Sequence, residues 1–434
     1  MDAHPGPQRA MDAHPGPEGA MDGQVVVERL AEQPGGVELL EVAREHADVA
    51  LVGGAVRDLL LELEPRELDV VVSGDAARLV SELAELVPDA HTTVHDRFGT
   101  AVVQWGQGLR IDIAVRRAES YSHPGALPEV RPGTVAEDLA RRDFTVNAIA
   151  VPLGGPERGL LQAAEGALAD LAARRLRVLH ERSFSDDPTR LLRLARYRAR
   201  LMFEVEDETA RLAREAIAAR ALDTVSGGRI VAELWLAIGE GTLVSVGELG
   251  VLAALGLPAS FDSLLFDEAL ALLPGDGDRE VLAMAVLFHP PPPAGADARE
   301  RAAILAERFE FPAHTRERVL AAAFEAPALA HEIEHAPRPS QLYRALAGSS
   351  VEAIAVAGAL GARRSPEIRR RAELWLSELR GVELEIGGDD LLAAGVGQGP
   401  EIGRRLERVL ERRLDGELAA GRDAELAAAL EVQP

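Results

Sequence analysis

The sequence predicts an α+β protein in which strands and helices alternate near the N-terminus and helices make up the rest. Short apolar, β-branched runs bounded by glycine and proline, which are typical of strands, occur up to about residue 150. Aromatic residues are only 4% of the chain, while Ala, Leu, Glu and Arg dominate, which favours helices packed through aliphatic stripes. A chain of 434 residues exceeds one ordinary core, and we expect about two to four domains.

The composition excludes several classes of protein. Because there is no cysteine, we expect no disulfide framework, thiolate zinc site or cysteine nucleophile. No signal-type segment or long apolar run is present, so we expect a cytoplasmic protein with no membrane partner. The net charge of −24 argues against a phosphate-coated partner. However, all 47 basic residues are arginine, and residues 131–200 hold 13 arginines against 9 acids, a local excess that suits phosphate.

The chain begins with a segment that we predict to be a disordered leader. Residues 1–20 contain the heptapeptide MDAHPGP twice and are rich in proline and glycine, without hydrophobic periodicity. A helical pattern from Val25 to His46 then leads into the first strand.

The stretch Val49 to Asp75 organises the rest of the sequence. An apolar run meets Gly53 and Gly54, and a helical pattern follows with Arg57 and Asp58 in its first turn. A strand, a tight glycine turn and a helix N-terminus together present backbone N–H groups to an anion.

Two carboxylates follow this glycine turn. Glu67 and Asp69 lie two residues apart at the start of a β-branched run, and the period-two geometry of a strand puts both on one face. Hard oxygen ligands beside a phosphate-binding turn indicate Mg²⁺ and a nucleotide. Residues Ala76 to Val87 then form a predicted amphipathic helix.

A third carboxylate lies within a later strand. Residues Phe98 to Trp105 and Arg110 to Val115 are predicted strands, and Asp112 interrupts the apolar pattern of the second one. A buried carboxylate needs a partner. Asp112 is therefore either a hydrogen-bonded structural residue or a third acid facing Glu67 and Asp69, and we favour the second interpretation.

A loop and a capped helix precede the next polar pair. Residues Ser120 to Gly133 are rich in proline and glycine and predict a loop; the capping box from Thr134 to Glu137 predicts a helix that carries Arg141 and Arg142 at its end.

Asp143 and Asn147 interrupt the apolar segment that follows this helix. Four residues apart, they could share a helix face and form a hydrogen-bonding pair for a sugar or base. The equally weighted alternative is a cap and a satisfied core amide.

An arginine stripe is predicted on the helix within Ser185 to Arg200, for which Ser185 or Asp186 is the expected cap. At about 100° per residue, four arginines fall within an arc of about 120°, with leucines opposite. They are Arg190, Arg193, Arg196 and Arg200. No acid lies between the first and last of them, so the stripe needs an anion from outside this span, such as phosphate.

The C-terminal half is predicted to be helical, with a proline-rich linker beginning at His289. The segment His331 to His335 has the spacing of a zinc metalloprotease helix, but the third-ligand extension is missing, so we interpret it as an exposed helix end. The tail predicts a compact helix-turn-helix unit with too little arginine on one face to bind DNA.

Four motifs in this order resemble the bacterial tRNA nucleotidyltransferase and poly(A) polymerase family, of the class II CCA-adding type. They are LVGGAVRD, the strand with spaced acids, RRDFTVNAIA and DDPTRLLRLARYRARL. The strong resemblance covers about Ala50 to Trp235, and GGDDLLAAGVGQGPEIG is similar to the family's C-terminal module.

The resemblance implies a nucleotidyltransferase head with a small mixed sheet, followed by a helical neck, body and tail. The corresponding ranges are a leader at 1–24, the head at 25–155, the neck at 156–235, the body at 236–380 and the tail at 381–434.

The resemblance also assigns roles to single residues. Glu67 and Asp69 would hold magnesium, and the strand pattern described above adds Asp112 as a further catalytic candidate. The implied nucleotide-binding residues are Gly53, Gly54, Arg57, Arg142, Asp143, Asp187, Arg190, Arg193 and Arg196. Among these, Asp187 and Arg190 would read the edge of the incoming base.

The implied reaction is template-independent addition of CMP, AMP or both from CTP and ATP to the 3′ end of tRNA. Two Mg²⁺ ions about 3.5–4 Å apart would activate the RNA 3′-hydroxyl and stabilise the leaving pyrophosphate. The alternatives are a poly(A) polymerase acting on general RNA and a catalytically weakened paralogue that binds RNA or nucleotide.

Two departures from the family pattern bear on activity. Glu67 stands where the family has aspartate, and its side chain is one methylene longer, whereas magnesium requires near-ideal octahedral placement. Leu161 to Gly166 replaces an Asp-Pro-Gly-like stretch.

Overall fold

The computed structural model describes residues 22–87, 89–95, 99–106, 109–289 and 297–431. Residues 1–21 of the predicted leader, Phe98 of a predicted strand and 290–296 of the predicted linker lie outside this set. The chain forms two compact units, one ending at Val225 and the other beginning at Ser226. Within the described ranges, every strand belongs to the first unit, which confirms the predicted α+β class.

The first unit mixes helices with strands. Its helices are α1 (Gly23–Ala31), α2 (Gly36–Ala43), α3 (Gly54–Leu60), α4 (Ala76–Leu86), α5 (Val135–Ala140), α6 (Ala167–Ala172), α7 (Ser183–Asp186), α8 (Arg190–Leu201) and α9 (Asp207–Ala218). Its strands are β1 (Ala50–Val52), β2 (Leu68–Val72), β3 (His91–His95), β4 (Thr100–Trp105), β5 (Leu109–Val115), β6 (Arg117–Ser120), β7 (Glu129–Pro132), β8 (Ile149–Pro152), β9 (Gln162–Ala163), β10 (Arg175–Leu176) and β11 (Glu204–Val205). Short 3₁₀ turns occupy Thr145–Asn147 and Ala221–Thr224.

Seven strands form one mixed sheet in the order β3-β4-β5-β2-β1-β8-β9. The β2–β5 pair is parallel, and the other neighbouring pairs are antiparallel. Because β1 and β2 are antiparallel, the end of β1, where the glycine turn follows, lies at the same sheet edge as the start of β2.

The two faces of the sheet differ in chemistry. Leu68 and Val70 of β2 are buried beside Ile111 and Ile113 of β5, so these residues anchor one face in the core. Asp69 points to the opposite face because side chains alternate along a strand. Small apolar side chains continue that face, and Leu139 of α5 packs against them; they are Ala50, Val52, Val71, Ala148 and Ala150. The carboxylates thus stand beside a small apolar cluster.

Two local predictions need adjustment, and a third is confirmed. Helix α1 begins at Gly23 with an Asp22 cap, inside the range predicted as leader. The predicted loop from Ser120 to Gly133 is shorter, because β6 and β7 pair across it. Its capping box is confirmed, since the backbone N–H of Glu137 donates to Thr134 Oγ1 at 3.3 Å.

The second unit is helical in the part that the structure describes. Its helices are α10 (Gly227–Glu240), α11 (Leu243–Glu248), α12 (Val251–Ala254), α13 (Ser263–Leu270), α14 (Arg279–Phe288), α15 (Ala298–Arg308), α16 (Ala313–Phe324), α17 (Ala326–His335), α18 (Pro339–Ala345), α19 (Val351–Ala362), α20 (Pro366–Ser377), α21 (Gly388–Ala393), α22 (Pro400–Leu414) and α23 (Arg422–Glu431). The predicted tail helices have their own small apolar cluster, built on Leu391, Val409 and Ala429. Among the described residues, no helix has the length and apolarity needed to cross a membrane.

Candidate active site

Two aspartates face each other on the parallel strand pair at the centre of the sheet. Asp69 of β2 is the register partner of Asp112 of β5. Glu67 is exposed and immediately precedes β2. The strand periodicity from which we predicted the direction of its side chain therefore begins one residue later. We call Glu67, Asp69 and Asp112 the carboxylate edge. Among the described residues, one group of three ligand side chains has its ligand atoms within 4.8 Å of one another, and it lies elsewhere in the chain. The ligand atoms of the carboxylate edge are therefore farther apart than this.

The negative charges of the carboxylate edge repel one another. Burial raises the pKa of Asp69 to about 7, and the negative charge of Glu67 is the next largest cause. Asp112 adds to the rise, whereas the positive charge of Arg142 opposes it. Carboxylates that repel one another in this way gain stability from a bound cation.

Asp112 combines the two interpretations that the sequence left open. It faces Asp69, and its carboxylate also accepts two hydrogen bonds of 2.6 Å from Nε and Nη2 of Arg110. Arg110, which sequence reasoning did not single out, therefore supplies the partner that a half-buried carboxylate needs. Its signal was the i, i+2 spacing, which places both side chains on one strand face.

The donor set of this edge fits a hard divalent cation. Glu67 and Asp69 offer carboxylate oxygens, which Mg²⁺ prefers. Burial and the neighbouring acids, which together raise the pKa of Asp69, both favour a bound cation that offsets the carboxylate charge.

The glycine turn brings a guanidinium close to this edge. Gly53 has a φ of +69°, a left-handed conformation that glycine adopts without steric cost. A Cβ there would lie 2.6 Å from Nη1 of Arg142, so the arginine packs directly against the backbone. Gly54 begins α3. A Cβ at Gly54 would lie 3.5 Å from its nearest neighbour, Nη2 of Arg57, which is an ordinary van der Waals contact.

The nitrogens of the Arg142 guanidinium differ in their hydrogen bonding. Its Nη2 donates to Asp138 at 3.1 Å, while its Nε is buried without a hydrogen-bond partner among the described residues. Asp138 also accepts from Arg141 at 2.8 Å. This buried aspartate was missed by sequence reasoning, although its i−4 spacing from Arg142 on a helix was a usable signal.

Asp143 is the anion at the centre of a buried network. Its Oδ1 accepts from the backbone N–H of Phe144 at 2.8 Å and from Asn147 Nδ2 at 2.9 Å. Its Oδ2 accepts from Arg193 at 2.7 Å. Burial alone would raise its pKa, but the positive charge of Arg193 and the bond from Asn147 lower the pKa of Asp143 to about 2.

Asn147 connects this aspartate to Arg57. The side-chain oxygen of Asn147 accepts from Arg57, whose Nε donates to Asp58 at 2.7 Å. The predicted Asp143–Asn147 pair therefore exists, but on a 3₁₀ turn instead of an α-helix. Both residues are buried and bonded within the protein, as the core-amide interpretation expected.

Tyr197 lies at the centre of the arginine stripe. Four guanidinium carbons lie 4.9–6.0 Å from its ring centroid, those of Arg57, Arg193, Arg196 and Arg200. Its hydroxyl accepts from Arg193 at 3.1 Å. The aromatic ring stabilises closely spaced cations, a role that sequence reasoning missed. We call Arg57, Asp143, Asn147, Arg193 and Tyr197 the arginine network.

The stripe obtains an anion from within the protein. Asp143 lies outside the span of the stripe and pairs with Arg193, so part of the anion that the sequence pattern called for comes from the protein itself. Arg196 is also buried, and Arg190 donates to Ser183 at 2.7 Å and to the carbonyl of Arg141 at 2.6 Å.

Helix α8 starts later than predicted. Its first residue is Arg190, because Ser183–Asp186 forms the separate short helix α7. Asp187 lies between the two helices, and its Oδ1 accepts from Thr189 Oγ1 at 2.6 Å. The predicted base-reading pair, Asp187 and Arg190, therefore stands at the helix start.

Comparison with known proteins matches the first unit to one family. The family described as the Poly A polymerase head domain matches residues 49–177, a range that contains the carboxylate edge, Gly53, Arg142 and Asp143.

Two relatives extend the match. An A-adding tRNA nucleotidyltransferase of Geobacter sulfurreducens is 34% identical over 83% of this chain, which spans 42% of that relative's length. A CC-adding tRNA nucleotidyltransferase of Deinococcus radiodurans is 32% identical, with 85% of each chain covered. The chain thus spans less than half of the first relative and most of the second.

A solved structure extends the match to the fold. The Thermotoga maritima CCA-adding enzyme in complex with tRNA is 27% identical, with a TM-score of 0.68, covering 94% of this chain and 99% of that one.

Proposed function

Because the chain belongs to the tRNA nucleotidyltransferase family, we infer that it transfers AMP, CMP or both from ATP and CTP to the 3′ end of a tRNA. The relatives named for A-adding and CC-adding activity support both nucleotides. The acidic net charge of −24 argues against binding arbitrary RNA.

One observation carries this proposal. Asp69 and Asp112 face each other at the centre of the sheet, and the glycine turn of Gly53 brings Arg142 against the same region. Opposed carboxylates beside a phosphate-binding turn and a guanidinium are the groups that phosphoryl transfer requires.

The carboxylate edge would hold the divalent cation. Glu67 and Asp69 would be ligands of Mg²⁺, which when bound supplies charge stabilisation to the reacting phosphate oxygens. Asp112, already held by Arg110, would orient groups on the same sheet face. Arg142, whose guanidinium packs against the glycine turn, would donate to a phosphate oxygen of the nucleotide.

The arginine network would hold the nucleotide side of the site in place. Asp143 fixes Arg193, and Asn147 fixes Arg57, so these guanidiniums need little reorganisation when a triphosphate binds. Arg196, which is buried, adds a further guanidinium 6.0 Å from the ring centroid of Tyr197.

Asp187 and Arg190 would select the base. Asp187 is half-buried at the start of α8, where a carboxylate and a guanidinium together present both acceptors and donors to a base edge. If Asp187→Ala leaves both the CTP/ATP preference and the rate unchanged, this assignment is wrong.

Separate incorporation of CTP and ATP tests the function. Radiolabelled tRNAs that lack CCA, or that end in C-C, are incubated with one nucleotide at a time. Addition of a defined one to three nucleotides supports the proposal, and the pattern distinguishes CCA, CC-only and A-only activity. Extension of unrelated RNA with many adenylates would instead show a poly(A) polymerase.

A weakened paralogue is the second candidate. The observation that favours it is Glu67, which is exposed, precedes β2 and carries one methylene more than aspartate. No incorporation by the wild type, with activity gained in Glu67→Asp, would support this candidate.

A further inference from the structure

The end of helix α17 gathers three metal-ligating side chains far in sequence from the candidate active site. His331, Glu334 and His335 each offer one ligand atom, and these atoms lie within 4.8 Å of one another. The two imidazole rings have centroids 4.1 Å apart. The i, i+3 and i+4 spacing puts all three on one helix face.

The orientation of His335 favours metal binding. Its Nδ1 lies 2.8 Å from the carbonyl oxygen of His331. Because a carbonyl only accepts, Nδ1 must carry the proton, and in the neutral ring the lone pair is therefore on Nε2. A histidine ligand whose second nitrogen donates to a backbone carbonyl is the usual arrangement at metal sites in proteins.

The surroundings contain both opposing and supporting charges. Glu334 accepts from Arg364 at 3.2 Å, and Arg371 donates to the carbonyls of Ile333 and Glu334 at 3.2 and 3.0 Å. The positive charges of these two arginines repel a metal ion, while the negative C-terminal end of the α17 dipole attracts it. The Arg364 pair is largely exposed, so a metal ion can compete for the Glu334 carboxylate at modest cost.

We propose that His331, Glu334 and His335 form a surface site for a borderline transition-metal ion such as Zn²⁺, Co²⁺ or Ni²⁺. Two imidazoles and one carboxylate suit these ions, whereas Mg²⁺ prefers oxygen ligands alone. All three side chains are exposed, so the bound ion binds at the surface and is not enclosed in a catalytic cleft. This site is independent of the proposed tRNA reaction, which uses Mg²⁺ at the carboxylate edge.

Cobalt titration of the full, untagged chain tests the site. CoCl₂ is added in excess MgCl₂, which occupies oxygen sites, and visible d–d absorption is followed; ZnCl₂ then displaces the cobalt. We expect one Co²⁺ per chain, displaced by one Zn²⁺, and affinity at least 10-fold weaker in His331→Ala and in His335→Ala. Absence of a cobalt spectrum in the wild type would overturn the proposal.

Two further variants make the test specific. His314→Ala removes another exposed histidine of the second unit and should leave the titration unchanged. Arg364→Gln frees Glu334 from its ion pair and should tighten binding a few-fold. An equal loss in His314→Ala, or weaker binding in Arg364→Gln, would show that the three residues are not the ligands. Circular dichroism of each metal-free variant confirms that it is folded.

Discussion

Asp69 and Asp143 are the same residue type in one site, yet their carboxyl groups titrate in opposite directions. Burial raises the pKa of Asp69 to about 7, while Asp143, also buried, has a pKa lowered to about 2. The difference lies in their neighbours. Asp143 accepts hydrogen bonds from Arg193 and Asn147, whereas Asp69 is beside the acids Glu67 and Asp112.

This contrast divides the site into two halves with different tasks. In the arginine network, Arg193 pairs with Asp143 and Arg57 pairs with Asp58, so these two cations have anionic partners before any ligand binds. The carboxylate edge accumulates negative charge that the protein does not fully compensate, so its free energy falls when a cation arrives. Substitutions in the two halves should therefore separate stability from activity.

The largest expected effect is on catalysis in Asp69→Asn. Removing this metal-binding charge should lower incorporation about 1000-fold, the upper end of losses for a single charge-stabilising group. Thermal stability should stay equal or rise, because a repelled carboxylate is removed. The measurements are single-nucleotide incorporation into tRNA and thermal melting. Asp112→Asn is the comparison variant; since Arg110 already pairs with Asp112, its loss of activity should be smaller.

Asp143→Asn should give the reverse pattern, with the main loss in stability. It removes the carboxylate charge that pairs with Arg193, which should cost about 3 kcal/mol, at the lower end for broken buried pairs because Arg193 is a third exposed. Urea unfolding of the variant and the wild type measures the difference.

The pH dependence of this difference provides the check. The folded pKa of Asp143 is lowered to about 2, and the unfolded pKa is about 3.9. Its contribution is therefore fully present above pH ~4 and is lost as the pH falls through ~2. A stability difference that stays constant between pH ~5 and ~2 would contradict the assigned role.

Gly53→Ala should impair the region that joins the two halves. A side chain at a φ of +69° costs about 1–3 kcal/mol, and its Cβ would displace Arg142. We expect incorporation to fall about 10- to 100-fold. Gly54→Ala is the matched control. The added Cβ would lie 3.5 Å from its nearest neighbour, so the activity of this variant should change little. Equal losses in the two variants would show that the turn conformation is not the cause.

Glu67→Asp should have the smallest effect. Glu67 is exposed and precedes the strand, so a shorter side chain changes its reach without disturbing the core. If Glu67 holds the cation adequately, incorporation should change by no more than about 10-fold, or about 1.4 kcal/mol. A titration of MgCl₂ in the incorporation assay measures the change. A gain from no detectable activity would instead identify the natural chain as a weakened paralogue.

The sequence predicted the local motifs well because they depend on short-range chemistry. Gly53 was found from a strand that meets two glycines, and Glu137 from the capping-box spacing; both occur as expected. Asp143 and Asn147 were correctly recognised as a pair, yet their backbone is a 3₁₀ turn. The reason is tertiary: Phe144 pairs with Val178, and the N–H of Thr145 donates to Arg177, which prevents a longer helix.

Long-range partners could not be found from spacing alone. Sequence reasoning favoured Asp112 as an acid facing Asp69, but spacing alone could not give their register, which depends on the order of strands in the sheet. The pairing of Asp143 with Arg193 likewise joins residues 50 positions apart. Sequence reasoning could not name the anion that pairs with the stripe, because it considered only neighbours on the same helix.

The strand order of the sheet has a consequence for how the protein folds. The Asp69–Asp112 register spans 43 residues, and the pairing of Ala50 with Pro152 spans 102. Closing such loops costs entropy before the contacts compensate, which slows folding. We therefore expect the carboxylate edge to assemble late during refolding, after the local helices, so that a newly made chain acquires helical structure well before the proposed cation site exists.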